Sequence, residues 1–149
     1  MFARLDSSVD KARIDSLNSY QQIPIGIVES SLQGECLNAN DEFCRIVGYK
    51  KEQLLGLRIE DIVYEQDYPT VINLYHKLAE GEIPFYTVEK RYVRKDGKIV
   101  WVEAKRSLVR TSDGQALYTI GTVLDVTERK QAEKSISVLS KLQMKGYGN

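Results

Sequence analysis

The side chains with chemical potential are few and scattered. The chain has one histidine, His76, within Tyr75-His76-Lys77. A metal cage needs several converging ligands, and one histidine among dispersed acids supplies no such spacing. A phosphoacceptor histidine needs an acidic neighbour and a helical hairpin, and neither surrounds His76. The two cysteines, Cys36 and Cys44, form no C-x-x-C. They read as small buried or half-buried thiols in a reducing compartment. No G-x-x-x-x-G-K-[ST], H-E-x-x-H or G-x-S-x-G occurs. Glu60 and Asp61 read as solvated or capping carboxylates. With no convergent acid/base pair, catalysis by this chain is not expected.

What remains is binding chemistry. Nine tyrosines and one tryptophan carry polar handles on large apolar bodies. A buried tyrosine hydroxyl needs a partner, so one facing a cavity can orient a small molecule. Tyr75, Tyr92, Trp101 and Tyr118 are the polar candidates for a ligand pocket, and Phe43 and Ile46 are candidates for its apolar lining. Arg91, Lys105 and Arg106 offer charge for an anionic ligand, although charges on strands ordinarily face solvent.

These residues must be positioned by local elements. Ser8–Tyr20 reads as an amphipathic helix that Pro24 stops. Gly26–Ser30 and Glu35–Leu37 read as short strands around a Gln33-Gly34 turn. Asn38-Ala39-Asn40-Asp41 carries N-cap chemistry, Phe43, Ile46 and Val47 recur at helical spacing, and Gly48 stops that helix. Lys51–Leu55 and Ile59–Val63 give shorter helical pieces. Asp67 is a candidate cap for a longer helix with Pro69 in its first turn and Gly81 at its end. Three strands follow, Phe85–Arg94, Ile99–Arg110 and Ala116–Val126, the first two joined through Asp96-Gly97. From Thr127 the chain turns polar and helical. Ala132, Ile136, Leu139 and Gln143 have coiled-coil spacing over about two heptads, and Lys145–Asn149 reads as a disordered tail. The class is α+β, with helices gathered on one side of an antiparallel sheet.

A chain of 149 residues suits one domain with short flanks. Its 42% hydrophobic and 28% charged residues are ordinary for a globular domain, so whole-chain disorder is excluded. Lys plus Arg and Asp plus Glu both number 21, so no field of one sign draws nucleic acid or anionic membrane. No apolar run is long enough for a bilayer span or a signal peptide, and a cytoplasmic location is expected.

Four local signatures then stand in order: Asn40-Asp41-Glu42-Phe43 with Gly48-Tyr49; Glu52-Gln53-Leu54-Leu55-Gly56; Arg94-Lys95-Asp96-Gly97-Lys98 with Trp101-Val102; and Asp125-Val126-Thr127-Glu128-Arg129-Lys130. Together they resemble a PAS domain with its C-terminal PAC motif, of the kind found in bacterial-type sensor histidine kinases and diguanylate cyclases. The resemblance implies a five-stranded antiparallel sheet with short helices packed on one face and flanking N- and C-terminal helices. It divides the chain into an N-terminal helix and linker (1–21), a sensory domain (22–127), and the start of a signalling helix with its tail (128–149).

The resemblance further implies a small-molecule or cofactor site in the cup of the sheet. The last strand would pass its state to the following helix, and so to a covalently linked output domain. Asp125 and Thr127 lie at that junction as candidate caps and coupling residues. Flanking helices in this family commonly form homodimers, so a ligand-free dimerisation and signal-coupling module is the alternative reading. The cofactor stays open. The histidine that binds haem in related sensors maps to Thr70, and His76 lies six residues on, about 240° around a helix. In the flavin photosensors the adduct-forming cysteine maps to Ile59. Neither haem nor a flavin–cysteinyl adduct is therefore expected.

Overall fold

The computed structural model describes residues 24–147. The helix expected over Ser8–Tyr20 lies outside the described residues. Strand β1 (Gly26–Ser30) is apolar enough to be covered on both faces, and it lies inside the sheet. It pairs antiparallel with β2 (Cys36–Ala39) on one side and with β5 (Ala116–Asp125) on the other. Strands β3 (Phe85–Val93) and β4 (Ile99–Arg110) complete a five-stranded antiparallel sheet of order β2-β1-β5-β4-β3. The second strand runs Cys36–Ala39, starting one residue and ending two residues later than the Glu35–Leu37 expected, because Asn38 and Ala39 continue the pairing with β1 beyond an irregularity at Leu37.

The helical segments between β2 and β3 cover one face. Helix α1 (Asp41–Val47) starts at Asn40. The Asn40 side-chain oxygen accepts from the amides of Phe43 (3.0 Å) and Ile27 (2.9 Å), while its NH2 donates to the Ile25 carbonyl (2.9 Å). One residue thus caps a helix and stitches it to β1. Gly48 ends α1 in the left-handed region, at φ 75°. The last carbonyls of α1 are taken by the β3–β4 hairpin: Arg94 donates to Arg45 and Ile46, and the Lys95 amide donates to Val47. Helix α2 (Lys51–Leu54) and a 3-10 turn (Ile59–Ile62) follow.

Helix α3 (Tyr68–Ala79) turns Val71, Tyr75 and Leu78 inward. Asp67 does not cap it, contrary to expectation. Its backbone is already helical, and its carboxylate instead holds Arg91 on β3 through bonds of 2.7 and 3.0 Å. The core beneath these helices is built on Phe43, Ile46, Leu54, Ile59, Tyr92 and Val102, all essentially without exposure. Helix α4 (Thr127–Tyr147) leaves the end of β5. Lys145–Tyr147, expected as disordered tail, continue this helix, because Gly146 does not interrupt a run already propagated from Thr127.

Candidate functional site

Alternation along three strands decides what faces the covered side. Tyr86, Lys90 and Tyr92 point inward from β3, Arg106 from β4, and Thr119 from β5. Ser30 of β1, Glu60 of the 3-10 turn and Tyr75 of α3 meet them. Arg106 donates to Ser30 Oγ (3.2 Å) and Thr119 Oγ1 (3.0 Å), with its guanidinium 5.4 Å from the Tyr75 ring centre. Tyr75 donates to the Ser31 carbonyl, and its hydroxyl lies 3.1 Å from Thr119 Oγ1. Gly121 pairs with Arg106 in the ladder, and a Cβ there would come within 3.1 Å of Arg106 Cζ. The missing side chain makes room for the buried guanidinium.

This polar centre is incompletely satisfied. Lys90 is 1% exposed. Its ammonium lies 4.8 Å over the Tyr92 ring and has no hydrogen bond or ion pair among the described residues. Burial first, and then the neighbouring Arg106 charge, pull its pKa down to about 7. Glu60 Oε1 and the Tyr92 hydroxyl are buried without a hydrogen-bond partner among the described residues, and the buried Tyr86 hydroxyl has the Arg106 guanidinium beside it but outside good hydrogen-bond geometry. Burial pushes the Tyr86 phenol up to about 12 and the Tyr92 phenol upward as well, so both stay protonated donors. Two basic side chains, one carboxylate and two phenol hydroxyls gathered in a buried interior are binding chemistry. Beside them a cleft of about 330 Å³ reaches the surface, with Glu60 and Tyr75 in its wall next to Gln33, Arg58, Ile72 and His76.

The opposite face of the sheet holds the output helix. Glu89 and Arg91 flank Lys90 in β3 and therefore point outward. Glu89 pairs with Lys130 (2.6 Å) and Arg129 (2.8 Å) of α4, whose charges hold its carboxyl below the ordinary range. The Trp101 ring of β4 lies between two cations, Arg91 at 4.7 Å and Lys130 at 4.8 Å. The backbone of Trp101 is also tied to the junction: it accepts from the Val126 amide and donates to Thr127 Oγ1 (3.1 Å). The Val126 carbonyl is already taken by the Lys130 amide in the first helical turn. The threonine hydroxyl thus supplies the acceptor that the strand ladder has lost. Asp125 Oδ1 accepts from the Thr127 amide at 2.9 Å.

A family model described as the PAS fold matches residues 37–123. The chain belongs to the PAS fold family. Solved PAS structures superpose on it. The PAS domain of a Colwellia psychrerythraea protein gives a TM-score of 0.72 at 23% identity, covering 78% of this chain and 98% of that one. An RNA-binding light-oxygen-voltage receptor gives 0.73 at 22% identity, covering 98% and 41%. Among curated proteins, a probable diguanylate cyclase of Escherichia coli (strain K12), DgcE, is 34% identical over 78% of this chain and 11% of its own length. The sensor histidine kinase TmoS of Ectopseudomonas mendocina is 28% identical over 80% of the chain and 12% of its own. The chain thus corresponds to about a tenth of these relatives, which are signalling proteins containing a PAS sensory domain joined covalently to other parts.

Within this PAS domain, Tyr75 and Tyr92 belong to the polar centre. Phe43 and Ile46 sit in the apolar core, where Phe43 meets the Tyr92 ring edge-on at 6.0 Å. Trp101 and Tyr118 stand on the outer face, out of phase with Val102 and Thr119. Arg106 faces in, while Arg91 and Lys105 face out, Lys105 lying over Phe85. Asp125 and Thr127 meet at the helix junction. His76 is exposed at the cleft, Thr70 is exposed on α3, and Ile59 is fully buried. Cys36 is a buried thiol, pushed up to about 11 by desolvation. Sequence reasoning missed Lys90 and Tyr86, and it read Glu60 as a solvated or capping carboxylate, whereas the 3-10 turn buries it against the sheet. The available signal was phase: Tyr86, Val88, Lys90 and Tyr92 share one side of β3. Among the described residues no helix is long and apolar enough to cross a membrane.

Proposed function

We propose that this PAS domain is a sensory input module that binds a small molecule at its interior polar centre and relays occupancy through β3 to α4, and so to a covalently linked C-terminal output domain. One observation carries the reading. The buried, unpaired Lys90 lies between Glu89 and Arg91, and these two residues hold α4 and Trp101 on the other face. Charge neutralised at Lys90 acts on the same three-residue backbone segment that anchors the helix. Contacts worth about 1 kcal/mol each are commensurate with the small free-energy gaps by which ligands bias two states.

Hydrogen exchange tests the relay. Glu89→Gln and Thr127→Val are each expected to speed exchange in the first two turns of α4, and Thr127→Val to speed the Trp101 amide roughly fivefold, for about 1 kcal/mol lost. Exchange in β1 and β5 stays unchanged. If α4 exchanges as in the parent chain, it is not held through these contacts and the relay is wrong.

A second reading is a ligand-free dimerisation and coupling module. It is favoured by the exposure of Ile136, Val138, Leu139 and Leu142 on α4. Sedimentation of the same samples checks it, since a monomer at every concentration counts against a dimer built on this helix.

A further inference from the structure

We infer that the cleft between the 3-10 turn and α3 is a second binding site, outside the cup of the sheet, for a neutral polyhydroxylated compound such as a small sugar or cyclitol. It is separate from the interior centre. Its wall comes from the β1–β2 turn, the 3-10 turn with the residue before it, and α3, and among the described residues no strand lines it. Two opposite charges stand unpaired in that wall. Arg58 is exposed and Glu60 is buried, and neither side chain has a hydrogen bond or ion pair among the described residues. The fold holds Glu60 in place. Ile59 and Ile62 are buried and fix the 3-10 turn, and the Ile59 amide donates to the Gly34 carbonyl at 3.2 Å. A Cβ at Gly34 would come within 3.1 Å of Glu60 Oε2, so glycine there, at φ 93°, leaves the carboxylate its room beside the cleft.

The class follows from what these groups lack. Lys90 and Arg106 face Glu60 from the interior and offset its charge without bonding it. Glu60 therefore lacks hydrogen-bond donors, not positive charge. An ammonium ligand meets those two basic groups and Arg58, and a carboxylate ligand meets Glu60 and brings it no donor. A hydroxyl donates and accepts at once. Adjacent hydroxyls on one small skeleton donate to Glu60 and accept from Arg58 together, and the exposed Gln33 and His76 offer further bonds at the mouth. The Tyr75 hydroxyl is already engaged by the Ser31 carbonyl and Thr119, so Tyr75 and Ile72 present carbon to the C–H faces of the ligand. A volume of about 330 Å³ holds a compound up to the size of a monosaccharide.

The test is an NMR titration of the isotopically labelled chain, because polyols also stabilise folded proteins by exclusion and a thermal midpoint would not report the site. D-Ribose, D-glucose and myo-inositol are each raised to about 50 mM, where a millimolar affinity saturates the site. They are expected to shift the amides of residues 33–34, 58–60 and 72–76 and few others. Tetrahydropyran, acetate, methylammonium and the zwitterion alanine, which lack vicinal hydroxyls, should shift these amides far less. Arg58→Met and Glu60→Gln are each expected to weaken the tightest sugar about tenfold or more. Arg58 is exposed, so its replacement leaves the fold intact whatever happens at Glu60. Lys90→Met is expected to bind as the parent does, because Lys90 does not line the cleft. No shift at these amides with any polyol overturns the site, and so does an Arg58→Met chain that binds as tightly as the parent. Shifts as large with an ion or with alanine overturn the neutral class. An equal loss in Lys90→Met places the ligand in the interior centre and overturns the cleft as its seat.

Discussion

Replacing Asn40 with alanine is expected to cost roughly 3 kcal/mol, lowering the thermal midpoint by about 10 °C. The side chain is fully buried and, among the described residues, bonds to the Phe43 amide, the Ile27 amide and the Ile25 carbonyl. Losing a helix cap costs about 1 kcal/mol. The other two bonds leave the buried Ile27 amide of β1 and the half-buried Ile25 carbonyl just before it without this partner, at about 1 kcal/mol each. For a domain of this size 1 kcal/mol corresponds to about 3–5 °C. Unfolding by heat and by urea checks this. A loss under 1 kcal/mol means that Asn40 does not join α1 to the sheet.

Lys90→Met is expected to act in the opposite direction. A buried ammonium without a carboxylate partner destabilises the fold, and an unbranched apolar side chain of similar length fills the same volume, so a gain of about 2 kcal/mol is expected at neutral pH. The pH dependence has a definite sign. Lys90 titrates near 7 in the folded chain and near 10.5 when unfolded. The groups facing it are Arg106, which lowers its pKa, and Glu60 and Asp67, which raise it, with the Tyr92 ring against the ammonium. Between those values the unfolded state binds the proton that the folded state has released, so parental stability rises with pH. The penalty is complete below about pH 7 and vanishes above 10.5. The midpoint difference between Lys90→Met and the parent should therefore shrink from pH 7 to pH 9.5. A variant less stable than the parent at pH 7 contradicts an unpaired Lys90.

These two residues also mark how far the sequence could be read. Asn40 is legible because an N-cap is local: the residue, its spacing to Phe43 and the Gly48 stop lie within one short segment. The strands are legible for the same reason, through alternation and the Asp96-Gly97 turn. The polar centre is less so. Lysine on a strand ordinarily faces water, and only its phase with Tyr86 and Tyr92 places Lys90 inside. Trp101 misleads in the converse way. It is large and aromatic, but Val100, Val102 and Ala104 set the inward phase of β4, and Trp101 gains its cover from Arg91 and Lys130. Contacts between distant segments left no local trace. Asp67 looks like a cap, yet its partner is Arg91, 24 residues on. Arg94 belongs to a hairpin motif, yet it closes α1, 48 residues back at Ile46. The exit motif is explained in the same way, because Arg129 and Lys130 are the residues that grip Glu89.

The most direct test of the relay requires no ligand, because protonation of Lys90 is itself a change of charge at the centre. Amide resonances of the isotopically labelled chain should be followed by NMR from pH 6 to pH 9, in the parent and in Lys90→Met. The account predicts that Trp101, Thr127 and the first turn of α4 shift together with a midpoint near 7, and that this transition disappears in Lys90→Met. Resonances at the junction that stay still while those of Tyr86 and Tyr92 titrate, or that titrate equally in the methionine variant, would contradict it.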